Sequence, residues 1–241
     1  MARGRKGTMG RKRGRIGWGA RSLAFLLLAA LGAGGWYWWQ VQHWTPSEEL
    51  YPDQGVHVGA AQGTVRFRTV RALGGTFAYL DASTGAKGSD PAFSRNLRAA
   101  REAGLQAGAV HHFDPCVLAD GQSANFVTVV PRDATLLPPV IELDETADDC
   151  PERVIDAAVE SELMTLINQI EAHTGKPVIL KIDPGFEARY GLARQLERNL
   201  WLTRTRFMPD YAGRPWMLWT ANEALRSEAT EAPLRWVVVQ P

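Results

Sequence analysis

Short apolar segments alternate with amphipathic segments through most of this chain, and this alternation constrains the fold more than any other feature. Eight segments have the length and composition of buried strands, at residues 55–58, 76–82, 107–113, 137–144, 177–181, 200–204, 216–220 and 236–239. Helical patterns lie between most of them, at residues 90–104, 122–130, 151–175 and 185–200. Strands that alternate with helices build a parallel sheet. The sequence therefore predicts an α/β fold, a TIM-like (β/α) barrel with short or missing C-terminal helices.

Two carboxylates end the strand predicted over residues 137–144. Glu142 and Asp144 are two residues apart, so a strand places both on one face. Two acids on one face raise each other's cost of ionising, and one of them can then keep a proton near neutral pH. Glycoside hydrolysis needs such a protonated carboxyl, which donates to the leaving oxygen. A solvated acidic loop is the alternative, since three more acids follow: Glu145, Asp148 and Asp149.

The N-terminal region is basic and leads into an uncharged apolar run. Eight of the first 21 residues are Lys or Arg, no acid precedes Glu48, and the rest of the chain carries 19 basic and 26 acidic residues. Residues 22–39 would span about 27 Å as a helix, close to the roughly 30 Å hydrocarbon core of a membrane. Four aromatic residues at 36–39 stand where a membrane-interface belt belongs.

This pattern predicts four regions in a single-pass protein of the cytoplasmic membrane. They are a basic cytoplasmic tail (1–21), a transmembrane anchor (22–41), a linker (42–53) and a barrel domain on the periplasmic or extracellular side (54–241). A cleaved signal peptide is the competing interpretation, because small residues near Gly32 offer a cleavage site. A basic flank beside a membrane span normally reports topology and contact with anionic lipid, so we expect no nucleic-acid partner.

The order of the strand ends resembles glycoside hydrolase family 25, the lysozyme-type muramidases that cleave the glycan of peptidoglycan. The resemblance runs from about residue 55 to the C-terminus. It is carried by Gly55-Val56-His57-Val58-Gly59 before Gln62-Gly63, Asp81-Ala82-Ser83-Thr84-Gly85, Gly108-Ala109-Val110-His111-His112-Phe113, Gln122-Ser123-Ala124-Asn125-Phe126 and Pro138-Pro139-Val140. The order and spacing of these pieces carry the resemblance more than any one of them.

The resemblance implies roles for residues at the predicted strand ends. The family has an Asp-x-Glu motif whose Glu is the general acid, and here Glu142 takes the Asp position and Asp144 the Glu position. Asp144 is then the implied general acid, Glu142 its electrostatic partner or base, and His57 a substitute for the family's first-strand Asp. Asp144 is one methylene shorter than Glu, and misplacement of that size can cost about 100-fold in rate. Substrate contacts are implied for Asp81, His111, Gln122 and Trp219.

Two functions remain open from these residues. The first is a membrane-anchored lysozyme-like hydrolase acting on peptidoglycan glycan. The second is a catalytically impaired family member that binds glycan or scaffolds envelope proteins, because several site positions differ from the family. A zinc site is a weaker alternative, for which the candidate ligands are His57, His111, His112, Glu142 and Asp144, and we expect no metal there. No His-x-His or His-x-x-x-His spacing supports the zinc site, and no phosphate loop or Gly-x-Ser-x-Gly elbow occurs, so we expect no cofactor.

The two cysteines of the chain are Cys116 and Cys150. They follow the third and fourth predicted strands, which are neighbours in a parallel barrel, so their loops lie at the same rim. An exported domain is in a compartment where disulfides persist. We therefore predict a Cys116–Cys150 disulfide beside Glu142 and Asp144.

Overall fold

The structure is a computed structural model that describes residues 18–241. The described residues form two compact units, one that ends at Gln40 and one that comprises Val41–Pro241. Residues 1–17, which hold most of the predicted basic tail, lie outside the described residues.

Helix α1 (Trp18–His43) is apolar over most of its length. Within residues 18–241, Ser22–His43 is the single stretch with the length and hydropathy of a membrane span, with a mean hydropathy of 1.3. Six Leu and Phe side chains of this helix are more than half exposed: Leu23, Phe25, Leu26, Leu27, Leu28 and Leu31. The helix therefore has the composition of a membrane anchor or of a signal segment.

Nine strands form one sheet in the second unit. They are β1 (Gln54–Val58), β2 (Gly75–Thr84), β3 (Gly88–Ser89), β4 (Gln106–His112), β5 (Val140–Leu143), β6 (Ile179–Ile182), β7 (Asn199–Thr203), β8 (Leu218–Leu225) and β9 (Leu234–Val239). The strand order is β1-β9-β8-β7-β6-β5-β4-β2-β3, and an additional pairing of β1 with β2 closes eight strands into a barrel. Strand β3 only extends the edge beyond β2. The prediction of a barrel of eight strands is confirmed.

The last strand departs from the all-parallel order of a TIM barrel. Successive strands from β1 to β8, leaving out the short β3, pair in parallel. Strand β9 instead pairs antiparallel with both β8 and β1. Only residues 226–233 connect β8 to β9, and they contain no helix. A parallel neighbour needs a crossover of a dozen or more residues, so this short connection reverses the final strand.

The helices of the second unit are α2 (Phe67–Ala72), α3 (Phe93–Glu102), α4 (Ala119–Val129), α5 (Asp156–Thr174) and α6 (Pro184–Tyr190). Two predictions of helix bounds were wrong. Helix α5 begins at Asp156 rather than near Pro151, with a carboxylate in the first turn where the helix dipole favours it. The helix predicted over 185–200 ends at Tyr190, because Gly191 takes a left-handed conformation with φ 63° and donates its N–H to the carbonyl of Glu187.

Alternation along the strands fills the barrel with two layers of side chains. The deep layer is apolar and consists of Phe77, Tyr79, Val110, Val140, Ile179, Trp201, Leu218 and Val237. Residues two apart point to the same face of a strand. Two residues towards the mouth, the inward positions are therefore Asp81, His112, Glu142, Lys181, Thr203, Thr220 and, on the reversed β9, Arg235. The interior of the barrel thus changes from apolar to polar and mostly charged side chains between the deep layer and the layer above it.

The predicted disulfide is present between Cys116 and Cys150, with the two Cα atoms 5.3 Å apart. Cys116 lies between β4 and α4, and Cys150 lies between β5 and α5. The bridge spans a sequence separation of 34 and ties together two loops at the carboxyl ends of neighbouring strands.

Replacing both cysteines by alanine should lower the free energy of unfolding by about 3–4 kcal/mol, because an unfolded chain without this cross-link regains loop entropy. Urea unfolding of the full chain in detergent, followed by tryptophan fluorescence, measures the change. Reduced wild type should match the double variant. An unfolding midpoint that responds to neither treatment would contradict the prediction.

Candidate active site at the mouth of the barrel

Six titratable side chains from six strands meet at the carboxyl ends of the parallel strands. This mouth cluster consists of His57 (β1), Asp81 (β2), His112 (β4), Glu142 (β5), Lys181 (β6) and Arg235 (β9). His57, Glu142 and Lys181 are buried. The side chains of the other three are between 17% and 23% exposed. Each charge in the cluster therefore depends on its neighbours rather than on bulk water.

Asp81 is the centre of the mouth cluster. Its Oδ1 lies 2.6 Å from His57 Nε2 and 3.1 Å from His112 Nε2, and its Oδ2 accepts from Arg235 Nη2 at 2.9 Å. Burial acts to raise the pKa of Asp81, but these three neighbours outweigh burial and hold the pKa well below its usual range. Gly59 makes room for this carboxylate, because a Cβ at that position would collide with it. Asp81 is thus an ionised hub with both oxygens engaged.

Glu142 is paired with Lys181 in the interior of the mouth. Lys181 Nζ donates to Glu142 Oε1, whereas the buried Glu142 Oε2 has no hydrogen-bond partner. Burial acts to raise the pKa of Glu142, but the positive charge of Lys181, with a contribution from His112, lowers it to about 2. Glu142 is therefore a carboxylate at neutral pH and has no proton to donate.

His57 is neutral and completely buried. Burial lowers its pKa to about 4, and the charges of Arg235 and Lys181 act in the same direction. The neutral ring donates from Nε2 to Asp81, so its Nδ1 accepts from Lys181 Nζ at 3.2 Å. With 0% exposure His57 does not reach a substrate. The predicted catalytic role of His57 is therefore not supported by its position, and it orients Asp81 and Lys181 instead.

His112 lies between the buried cluster and the rim. Burial acts to lower its pKa, but hydrogen bonds and charges from Asp144, Asp81 and Glu142 raise it to about 10. Its Nε2 faces Asp81, and its Nδ1 lies 3.8 Å from Glu142 Oε2 and 3.7 Å from Asp144 Oδ2. His112 thus carries a positive charge at neutral pH and connects both carboxylates of the predicted pair.

Asp144 is the member of the pair that reaches the surface. Its side chain is 41% exposed and follows β5 at the rim. It lines an open groove of about 680 Å³ together with Asp114, Cys116, Glu145 and Phe186. The disulfide therefore borders the same groove as Asp144. Glu142 does not line this groove, so Asp144 is the carboxyl of the pair that is open to solvent there.

Three predicted substrate contacts lie elsewhere in the fold. His111 and Gln122 are both 0% exposed and lie 3.2 Å apart, between His111 Nε2 and Gln122 Oε1. Trp219 is 3% exposed, and its indole donates to the carbonyl of Arg204. Because alternate residues of a strand face opposite sides, His111 and Trp219 pack outside the barrel, and Gln122 of α4 meets His111 there. Substrate contacts by His111, Gln122 and Trp219 are therefore not supported by the structure. Asp81 has little capacity left for a substrate, because both of its oxygens are hydrogen-bonded within the mouth cluster.

Sequence reasoning missed Lys181 and Arg235. Lys181 is the last residue of a predicted strand and follows the apolar Ile179 by two residues. Glu142 follows the apolar Val140 by the same spacing, so both strands change from apolar to charged on one face. A buried carboxylate requires a buried cation, and that rule points to the basic residues at the ends of other strands. Arg235 lay just outside its predicted strand, and the reversal of β9 that brings it to the mouth had no local signal.

Among residues 18–241, two sets of side chains offer ligand atoms close enough for one metal ion. In each set the atoms lie within 4.8 Å of one another, and the sets are His57, Asp81, Glu142 and His112, Glu142, Asp144. Four of the five residues named as zinc candidates from the sequence take part in them, and His111 does not.

Replacing Lys181 by methionine should destabilise the fold by about 3–5 kcal/mol, because it leaves the charge of Glu142 buried without a partner. The further change Glu142→Leu should restore at least half of the loss. Urea unfolding measures both variants. The exposed Lys87→Met is the matched control and should change stability by less than about 0.5 kcal/mol. Equal midpoints for Lys181→Met and Lys87→Met would show that the pair does not support the fold.

Comparison with known proteins agrees with this geometry. The family model for glycosyl hydrolases family 25 matches residues 56–224. The uncharacterized protein YegX of Escherichia coli K12 is 27% identical over 160 residues, which are 66% of this chain and 57% of that protein. YegX of Escherichia coli O157:H7 is 28% identical over 149 residues, 61% of this chain and 53% of that protein. The match thus spans little more than half the length of these relatives.

Solved structures have the same fold. A family 25 glycosyl hydrolase from Bacillus anthracis has 25% sequence identity and a TM-score of 0.74, with coverage of 83% of this chain and 93% of that chain. A bacterial lysozyme from Streptomyces coelicolor is alike in fold, with 20% identity, a TM-score of 0.68 and coverage of 78% of this chain and 92% of that chain. Because the family model matches well over half of the sequence, the chain belongs to family 25 of the glycosyl hydrolases.

Proposed function

We propose that this chain is a membrane-anchored, lysozyme-like glycoside hydrolase that acts on the glycan of peptidoglycan, outside the cytoplasmic membrane. The observation that carries the proposal is the position of Asp144 in a family 25 barrel. It lies at the carboxyl end of β5, exposed on an open groove, two residues beyond the buried carboxylate of Glu142. We also assign the barrel to the TIM type with a reversed last strand, since site chemistry lies at the carboxyl ends of its parallel strands.

Asp144 is the proposed general acid. Hydrolysis breaks the bond between C1 of one sugar and the bridging oxygen, and the carboxyl of Asp144 donates its proton to that oxygen as it leaves. A water molecule supplies the hydroxyl that ends on C1, and its other proton returns to the carboxylate of Asp144. The positive charge that develops at C1 is stabilised by the fixed negative charge of Glu142, which Lys181 keeps ionised. His112 lies within 4 Å of both carboxylates and orients them.

The exchanged motif has a cost for this chemistry. The side chain of Asp is one methylene shorter than that of Glu, so Asp144 must approach the leaving oxygen more closely to be effective. The Lys181 ammonium also partly neutralises Glu142, so this carboxylate stabilises a positive charge at C1 less than an unpaired carboxylate would. We expect a slow hydrolase, because small errors in the position of a catalytic group reduce rates by about 100-fold.

A binding module is the second candidate, and the compensated charges favour it. Asp81 and Glu142 are both engaged by cations within the mouth cluster, so Asp144 is the carboxylate of this group with the most exposed side chain. A family member with this arrangement would keep a glycan-binding groove while losing turnover. Binding to glycan without cleavage would identify this function.

If the chain is a hydrolase, Asp144→Asn should lower the release of soluble fragments from purified peptidoglycan by at least about 100-fold, the size expected for loss of a general acid. The full chain in detergent is incubated with peptidoglycan, and the products are identified by mass spectrometry. Glu145→Gln is the matched control, since it removes an equal charge one residue away on the same groove.

The same experiment separates the two candidates. Fragment release by wild type and by Glu145→Gln, but not by Asp144→Asn, supports the hydrolase. Sedimentation of all three proteins with insoluble peptidoglycan, without fragments, supports the binding module. Equal release by all three proteins would show that Asp144 is not the acid.

The proposed anchor predicts that residues 22–41 remain in the mature protein. Its support is the apolar helix with its exposed Leu and Phe side chains and the basic residues that precede it in the sequence. N-terminal sequencing of protein extracted from membranes should therefore give a start that precedes residue 22. A mature start near Gly34 would show instead that the segment is a cleaved signal peptide.

A further inference from the structure

Glu142 Oε2 is an unsatisfied acceptor inside the mouth. Glu142 is 7% exposed, and its Oε2 has no hydrogen-bond partner although its other oxygen accepts from Lys181. The nearest imidazole nitrogens, His57 Nε2 and His112 Nδ1, lie 3.9 Å and 3.8 Å away. An ionised oxygen without a partner is costly in a buried place, so its position indicates a group that completes it.

Three potential ligand atoms converge in front of this oxygen. His112 Nδ1 is 3.8 Å from Glu142 Oε2 and 3.7 Å from Asp144 Oδ2, and one ligand atom from each of the three residues lies within 4.8 Å of the other two. Ligands bound to zinc at about 2.0–2.2 Å in tetrahedral geometry are roughly 3.3–3.5 Å apart. The two distances from His112 Nδ1 exceed this spacing by only a few tenths of an ångström.

The groups behind these ligands fit a metal site. His112 directs its other nitrogen, Nε2, at Asp81 Oδ1, 3.1 Å away. A carboxylate behind a metal-bound histidine fixes the ring and increases the basicity of the ligand nitrogen. Lys181 similarly holds Glu142 Oε1 and leaves Oε2 turned towards His112. Two of the three ligands are thus fixed in place before any ion binds.

The second set of residues does not form a comparable site. His57 Nε2 and Asp81 Oδ1 are 2.6 Å apart, which is a hydrogen bond and too short for two ligands of one ion. The same oxygen of Asp81 also faces His112. The geometry therefore favours the set that includes Asp144, which lies beside the groove.

From this geometry we propose that His112 Nδ1, Glu142 Oε2 and Asp144 Oδ2 bind one divalent transition-metal cation of the zinc class. Binding releases to solvent the proton that His112 otherwise carries on Nδ1, because a histidine ligand is neutral. One imidazole and two carboxylates suit such an ion, whereas Mg²⁺ and Ca²⁺ prefer six or more oxygen ligands. Three protein ligands leave a coordination position open, as catalytic zinc sites do. That position faces the groove, because Asp144 is the ligand on the solvent side.

One consequence depends on the proposed function. The ion would occupy the carboxylates of Asp144 and Glu142 that glycan hydrolysis uses, so metal binding and hydrolysis exclude each other at this mouth. Zn²⁺ at saturating concentration should then suppress the release of peptidoglycan fragments by the wild-type chain.

Calorimetric titration of Zn²⁺ into the full chain in detergent tests the site directly, without any enzyme activity. Co²⁺ serves as a spectroscopic probe, because its visible absorption reports coordination by nitrogen and oxygen ligands, and Mg²⁺ serves as the control ion. Asp144→Asn and His112→Gln should each weaken Zn²⁺ binding by at least about tenfold, since a bound ligand is lost. Glu145→Gln should bind like wild type.

The outcomes are distinguishable. Tight Zn²⁺ binding that both ligand variants lose and the control variant keeps supports the site. Absence of binding, or equal binding to all four proteins, overturns it, provided that circular dichroism shows the variants folded. Asp144 is exposed, so its substitution should be tolerated even if the His112 variant is unstable. A chain that binds Zn²⁺ but releases no fragments contradicts the proposed function alone, and a chain that digests peptidoglycan without binding Zn²⁺ contradicts the site alone.

Discussion

Asp81 and Glu142 carry negative charge at a level of the barrel that water barely reaches, so each depends on a cation from another strand. Arg235 comes to Asp81 from β9, and Lys181 comes to Glu142 from β6. The first of these contacts exists only because β9 lies between β8 and β1 and so completes the barrel. Barrel closure and charge compensation at the mouth therefore depend on each other, and the apolar layer beneath, built around Tyr79 and Trp201, supplies the packing that holds them in register.

Local patterns were enough to predict the barrel, the disulfide and the position of Glu142 and Asp144. Each of these depends on alternation within a strand or on the proximity of consecutive strands, which a sequence reports directly. The pairing of Lys181 with Glu142 and the burial of His57 depend on contacts across the closed barrel. The burial of Trp219 could not be predicted either, because no local sequence signal indicates which face of β8 points into the barrel.

The mouth cluster shows how a family scaffold can be kept while its electrostatics change. In place of the acid that the family resemblance implies on the first strand, this chain has the neutral imidazole of His57, which accepts from Lys181. The ammonium in turn compensates Glu142, and the imidazolium of His112 faces Asp144. Side chains from four strands thus compensate one another, and removing any one of them would leave a buried or half-buried charge without its partner.

Because β9 runs opposite to the other barrel strands, it carries the chain from the mouth to the other end of the barrel. Val239 pairs with Leu218 at the start of β8, so residue 241 lies at the amino-terminal end of the parallel strands, whereas Arg235 lies at the mouth. Six residues of strand extend over about 20 Å. A fluorescent reporter or immobilising handle fused after Pro241 would therefore emerge from the face opposite the groove, and an insoluble polymer could still reach Asp144.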